Sequence, residues 1–291
     1  MKRYLWLLAL AALTVTAFAL LLVARRPDPL PNPNGYDDFV AAGKMVVGKP
    51  GEVATNGPAA LAAFAAQNAG VGARVRAGFV CESRVPVKMN QGWLVRHRPD
   101  CQAVTDAGNT LGVIAHQLET EGRVADSLAV HLDCVRLATE SVRGGLAMDY
   151  LTGTSLELSA VLDLQQLTPK LNAALCRQTL KALQETDAAA EPLMALVERE
   201  RQWRWWVSGW WRTSDGIKAR IEELRFRPSW TSASVSSIAH EEHMVVLLRG
   251  RLSLALARRA FTLEQGRPPA SDAELVPAYL PALPPVAPPA K

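Results

Sequence analysis

Residues Leu5 to Ala24, LWLLALAALTVTAFALLLVA, form an unbroken apolar run with Lys2 and Arg3 before it and Arg25 and Arg26 after it. A helix of about 20 apolar residues matches the hydrocarbon core of a bilayer. The run and its basic flanks, residues 1–26, are therefore expected to be a transmembrane anchor. A cleaved signal is the competing reading, because Ala17-Phe18-Ala19 has the small-x-small pattern of a cleavage site. Against it, Leu20-Leu21-Leu22-Val23 carries the apolar run onward to a basic pair. The N-terminal amine with Lys2 and Arg3 outweighs Arg25 and Arg26, whose charge Asp28 dilutes, so the positive-inside tendency exports the body of the chain. The expectation is a single span in the inner (cytoplasmic) membrane, with the lipid bilayer as partner through Leu5–Ala24 and the body outside the cytoplasm.

Charge divides the chain in the same way. Four of the 32 Lys and Arg residues flank the apolar run, and the 28 that remain balance 28 Asp and Glu. A nucleic-acid binder concentrates basic charge in its folded domain. This body has no such surplus, so nucleic acid is excluded as a partner.

Pro27-Asp-Pro-Leu-Pro-Asn-Pro33 places proline at every second position, the composition of an extended spacer. Residues 34–280 then read as one extracytoplasmic helical domain, and 281–291 as a proline-rich tail. Val104, Ala107, Leu111, Ile114 and Leu118 recur at spacings of three and four, which predicts a helix over 100–121 with Pro99 in its first turn. Gly122 closes it, and Val124, Leu128, Leu132, Val135 and Val142 continue the pattern over 123–143. A third helix over 146–167 is expected to bury Leu146, Tyr150, Leu151, Leu158, Val161 and Leu162. Thr168-Pro169 reads as the cap and first position of a fourth helix. Further helices are expected over 190–212 and 237–264. Ser271-Asp-Ala-Glu274 has capping-box spacing and reads as a short clasp that packs Leu275, Val276, Tyr279 and Leu280 on the long helix before it. No stretch alternates apolar and polar residues as a strand does. The fold class is all-α, an N-terminal transmembrane helix followed by an antiparallel bundle. Its core is a helical hairpin over 104–143, similar to a tetratricopeptide pair but without a second copy at the ~34-residue spacing of a solenoid.

Asn34-Gly-Tyr-Asp-Asp-Phe39, Cys81-Glu-Ser-Arg-Val-Pro86, Gly122-Arg-Val-Ala-Asp-Ser127, Gly144-Gly145, Gln265-Gly-Arg-Pro-Pro269 and Glu274-Leu-Val-Pro-Ala-Tyr-Leu-Pro281 follow one another along the body. In that order they resemble a family of uncharacterised membrane-anchored proteins of planctomycete-type bacteria. The resemblance implies an anchored helical body and carries over no catalytic residues. The C-terminal segment is also similar to the end of some secretion pseudopilins, but Val286-Ala287-Pro288 stands where those continue with Asp-Pro.

Candidate functional residues are few. Arg201-Gln-Trp-Arg-Trp-Trp-Val-Ser-Gly-Trp-Trp-Arg212 holds five of the eight tryptophans. Trp203, Trp205, Trp206, Trp210 and Trp211 with Arg204 and Arg212 suit a membrane interface, a stacking platform for sugar rings, or a core face backed by cation–π contacts. His240 and His243 lie three apart beside Glu241 and Glu242, a weak metal pattern that lacks further ligands. Cys81 and Cys101 bracket an irregular excursion and are candidates for a disulfide worth about 3 kcal/mol. The chain has no Gly-x-Ser-x-Gly, Ser-x-x-Lys, Cys-x-x-Cys or phosphate-cradling glycine loop, so no cofactor is expected and an enzyme is disfavoured. The sequence points to a membrane-anchored cell-envelope protein whose helical body binds or scaffolds, with an envelope protein as one class of partner. The alternative is an envelope enzyme or lectin-like protein that acts on glycan or peptide through segment 203–211.

Overall fold

The computed structural model describes residues 29–53, 57–90, 92–207 and 233–285 together with Leu13 and Thr16; residues 205, 206 and 233–237 are described by their backbone alone. The chain divides into two units, Met1–Asn32 and Pro33–Lys291. The expected anchor lies outside the described residues except at Leu13 and Thr16. Among the described residues no helix is long and apolar enough to cross a membrane.

Every regular element described in the body is helical. In chain order they are α1 (Gly35–Lys44), the single turn α2 (Pro50–Val53), α3 (Pro58–Gln67), α4 (Ala69–Gly78), α5 (Trp93–Thr120), α6 (Val124–Glu140), α7 (Ala147–Leu167), α8 (Ala173–Ala189), α9 (Leu193–Val207) and α10 (Ala233–Gln265). Short 3₁₀ turns at Thr168–Lys170 and Asp272–Leu275 complete the set. Helices α5, α6 and α7 pack consecutively, α1 lies across α4 and α5, and α10 closes over α7 and α8. The all-α expectation stands. The turn from α5 to α6 is tight because Gly122 adopts φ +76°, where a side chain would be strained.

Several helix boundaries differ from the sequence reading, each for a local reason. Helix α5 begins at Trp93, so Pro99 lies inside it and not in its first turn. Pro99 and Val95 are both exposed, which leaves the carbonyl freed by the missing N–H on the solvent side. Burial of Trp93 and His97 makes the extra turns worthwhile. Helix α8 is capped not by Thr168 but by Asn172, whose side chain accepts from the Leu175 amide at 2.9 Å. Thr168 turns inward and donates its hydroxyl to Leu164 O at 2.8 Å.

The buried stripe of α7 also differs from the expected one. Leu151 and Leu162 are exposed, whereas Asp149, Leu156, Glu157, Ala160, Val161 and Leu164 are buried. Of the expected positions Leu146 and Val161 are buried and Tyr150 and Leu158 partly so, and the reading misses the two carboxylates that share the inner face.

The C-terminal clasp forms. Leu275 and Leu280 are buried against the core, with Val276 and Tyr279 packed beside them. The expected capping box does not form: Glu274 accepts from the Ala270 amide at 3.3 Å, one residue ahead of the cap, and Ser271 makes no side-chain cap. A bidentate Arg258–Asp272 pair ties the clasp to α10. Arg177 on α8 grips Glu264 through two bonds of 2.7 Å while the Tyr279 hydroxyl donates to the same carboxylate at 2.6 Å. Arg177 first, then Tyr279, holds the Glu264 carboxyl down at about 2.

Candidate functional site

Two constellations of buried polar groups sit in the body, and α7 contributes to both. The first gathers around Asp149 near the start of α7. Its Oδ2 accepts from the Leu146 amide at 2.8 Å, which caps the helix and fixes the carboxylate. Its Oδ1 faces α5, where His97 Nε2 lies 2.6 Å away and Cys101 Sγ donates from 3.4 Å. His97 and Cys101 are four residues apart, one helical turn, so both project to the same side of α5. From α1, the Tyr36 hydroxyl comes within 3.4 Å of the same His97 Nε2.

Tyr36, His97, Cys101 and Asp149 are all at most 7% exposed. The Trp93 indole stacks on His97 with ring centroids 4.3 Å apart and planes at 17°. On the other side of the ring His97 Nδ1 is 3.8 Å from Asp100 Oδ2, and Lys44 holds that aspartate at 3.0 Å. Burial, and next Asp149, push the Cys101 thiol well above its ordinary range, so it is not a nucleophile. Burial likewise pushes the Tyr36 phenol up, aided by Asp149. Among the described residues this is the group of His, Cys and carboxylate atoms close enough to share a metal.

The second constellation lines a cavity of about 220 Å³ between α6, α7, the α8–α9 junction and α10. Glu157 of α7 pairs with Arg249 of α10, and Arg249 also pairs with Asp187 at the end of α8. Burial raises the Glu157 pKa despite the opposing Arg249 guanidinium. Glu242 of α10 faces the same space, its pKa raised by burial. It makes no hydrogen bond or ion pair with any described residue. Tyr150 lines the wall with its phenol pushed up to about 12, by burial and then by Glu242 and Glu157. Glu191 completes the rim, held by Arg199 and by the Gly144 amide at 3.1 Å. With Arg249 on Glu157 and Asp187 and Arg199 on Glu191, two guanidiniums face four carboxylates around the cavity.

The residues singled out from sequence are distributed differently. Cys81 and Cys101, the candidate pair for a bridge, are not joined, and all four cysteines are free thiols. Cys101 turns inward to Asp149 while Cys81 sits half-exposed in the segment after α4. Trp203 is a core residue and not a ligand platform. It is 6% exposed, its ring lies 6.4 Å from that of Trp93, and its indole N–H donates to Lys88 O at 3.0 Å. Arg204 is exposed and bonds to Glu200 at 2.8 Å. Trp205 and Trp206 are described by backbone only, and Trp210, Trp211 and Arg212 lie outside the described residues. His240 is exposed and His243 half-buried, and no third ligand closes on them among the described residues.

Sequence reading missed His97 because it placed that residue ahead of the helix. The available signal was the His97-x-x-x-Cys101 spacing, which acquires meaning only once α5 is known to run through Pro99. Arg249 and Glu157 carried no signal, since they are 92 positions apart and meet through packing of α7 on α10.

Compared with known protein families, with curated proteins and with solved structures, the chain has no match. The motif resemblance to membrane-anchored proteins is therefore not joined by a family model, and function rests on these two sites.

Proposed function

We propose that the chain is a single-pass, membrane-anchored cell-envelope protein whose helical body is a binding module for a small cationic ligand. The observation that carries the reading is the cavity between α7 and α10. Its volume suits a short amine or guanidine, and of its lining carboxylates Arg249 engages Glu157 and Asp187 and Arg199 engages Glu191, which leaves Glu242 without a cation among the described residues. Glu242 is the decisive group. A half-buried carboxylate turned toward a cavity with no countercharge among the described residues is costly, and a ligand cation would supply that charge. Tyr150 at the wall offers a hydroxyl and an aromatic face to the same ligand. The reading of the anchor is supported by the length of Leu5–Ala24 and its basic flanks. Burial of Trp203 weighs against the glycan-platform alternative.

Two measurements test the proposal. Alkaline carbonate extraction of membranes is expected to leave the full chain in the pellet, and release into the supernatant would retract the anchor. Thermal unfolding of the detergent-solubilised chain is then followed against putrescine and arginine amide, with acetate and succinate as anionic controls. At 100 times its dissociation constant a ligand stabilises by about 2.7 kcal/mol, which is roughly 5–10 °C in midpoint for a body of this size. Glu242→Gln is expected to abolish the rise. No response to either cation, or an equal response in Glu242→Gln, would retract the binding reading of this cavity.

A further inference from the structure

We propose that His97, Cys101 and Asp149 form a mononuclear zinc site inside the body, with the Tyr36 hydroxyl at its fourth corner. The inference goes beyond the cavity reading and uses none of its residues. Three donor atoms from α5 and α7 cluster in the core, and the Tyr36 hydroxyl of α1 reaches the same His97 nitrogen at 3.4 Å. His97 Nε2, Cys101 Sγ and an Asp149 oxygen all lie within 4.8 Å of one another. Tetrahedral zinc with bonds of ~2.0–2.3 Å sets a sulfur–oxygen edge of ~3.5 Å and a nitrogen–oxygen edge of ~3.3 Å. The Cys101–Asp149 separation of 3.4 Å already matches the first. The His97–Asp149 separation of 2.6 Å is a hydrogen-bond distance that opens by less than about 1 Å to admit the ion.

The surroundings have the form of a metal site's supporting shell. A ligating histidine ordinarily directs its second ring nitrogen to a carboxylate, and a ligating carboxylate is itself hydrogen-bonded. Here His97 Nδ1 faces Asp100 at 3.8 Å, and the non-ligating Asp149 Oδ2 takes the Leu146 amide. Stacking on Trp93 holds the imidazole in one orientation. One divalent ion against one thiolate and one carboxylate is neutral, the charge state a core position requires. The mixed nitrogen, sulfur and oxygen donor set suits zinc over magnesium or calcium, which take oxygen ligands. Binding exchanges the thiol proton and the proton between His97 and Asp149 for the metal. With every donor at most 7% exposed the site is closed, which is the form of a structural centre that pins α1, α5 and α7 together.

The test uses the full chain in detergent, purified without chelator from zinc-supplemented cells. About one zinc per chain is expected by elemental analysis. A strong chelator is expected to lower the thermal midpoint, and added zinc to restore it. Denaturation followed by refolding with cobalt(II) is expected to give a thiolate-to-cobalt charge-transfer band, present in wild type and in Cys134→Ala but lost in Cys101→Ala. Absence of both metal and band from wild type overturns the site, whether or not any variant folds. A band that survives in Cys101→Ala overturns it as well, by placing the thiolate ligand elsewhere.

Discussion

Substitution of two glycines by alanine should have opposite effects on stability, and the structure gives the size of each. Gly112 lies mid-way along α5, and a Cβ built there meets nothing within 4 Å. Gly112→Ala therefore gains helix propensity alone, about 0.5–1 kcal/mol. Gly43 lies in the last turn of α1, where that helix crosses α5. A Cβ there would stand 1.7 Å from Ala103 O, 2.3 Å from Ala103 C and 2.7 Å from Ala103 Cα. These are backbone atoms, so no side chain can turn aside, and α1 must retreat by about 1.3 Å to bring 1.7 Å up to the 3.0 Å minimum. A gap of ~0.5–1 Å forfeits a quarter to a half of a dispersion contact. Tyr36 and Phe39, the fully buried aromatics of α1, contribute about 1.5–3 kcal/mol each through burial, so their partial loss costs about 1–3 kcal/mol. Overpacking elsewhere along the crossing adds a comparable amount. Against the propensity gain, Gly43→Ala should lose about 2–4 kcal/mol net, or roughly 5–15 °C in midpoint. Urea and thermal unfolding of the two variants, followed by helical circular dichroism, decide the matter. If Gly43→Ala unfolds at or above the wild-type midpoint, or Gly112→Ala is equally damaging, the close crossing of α1 on α5 is wrong.

Three further outcomes concern buried polar groups. His131 is 2% exposed, its Nδ1 has no hydrogen-bond partner, and burial holds its pKa down at about 4, although Glu119 acts to raise it, His116 lowers it and Asp163 lies 3.9 Å away. The unfolded chain takes up this proton below about 6.5 and the folded chain does not until about 4, so stability is lost as pH falls through that window. Wild type should lose up to about 3 kcal/mol more than His131→Gln between pH 7.5 and 4, and parallel curves would refute the assignment. Arg249→Met leaves Glu157 buried without its partner and should cost about 3–5 kcal/mol at pH 8. Because the Glu157 pKa is raised, the carboxyl is neutral in acid, and the deficit relative to wild type should shrink on acidification; a deficit constant with pH would mean the pair is solvated. Trp203→Ala should cost about 3–5 kcal/mol and leave Lys88 O unpaired, measured by urea midpoint, whereas a loss under 1 kcal/mol would return this indole to the surface.

Helical class was legible because it rests on local repetition. Leu111, Leu128, Val135 and Leu180 recur at helical spacing and all are buried, as a one-sided apolar stripe requires. The same logic succeeded only in part on α7, where Leu146 and Val161 are buried but Leu151 and Leu162 face outward and the inner face also carries Gly153, Asp149 and Glu157. It failed at Pro99, read as a helix start although it is tolerated inside α5 on the exposed side. Both shortfalls fall on the elements that build the candidate sites. Polar groups at buried positions contribute no hydrophobic period, so a site inside a bundle weakens the pattern that would reveal its helix.

The sequence by itself determined an apolar stretch long enough for a bilayer, a charge-neutral body, helices over most of that body and a C-terminal clasp. These come from composition, periodicity and capping residues, all of which act within about a turn of the chain. Only the tertiary structure decided that Cys101 meets Asp149 and not Cys81, that Trp203 is core, and that Arg249 closes on Glu157 and Asp187. Such pairings depend on which helix faces cross and at what register. That choice is made by packing complementarity over the whole core, as at Gly43 against Ala103, and spacing along one helix does not encode it.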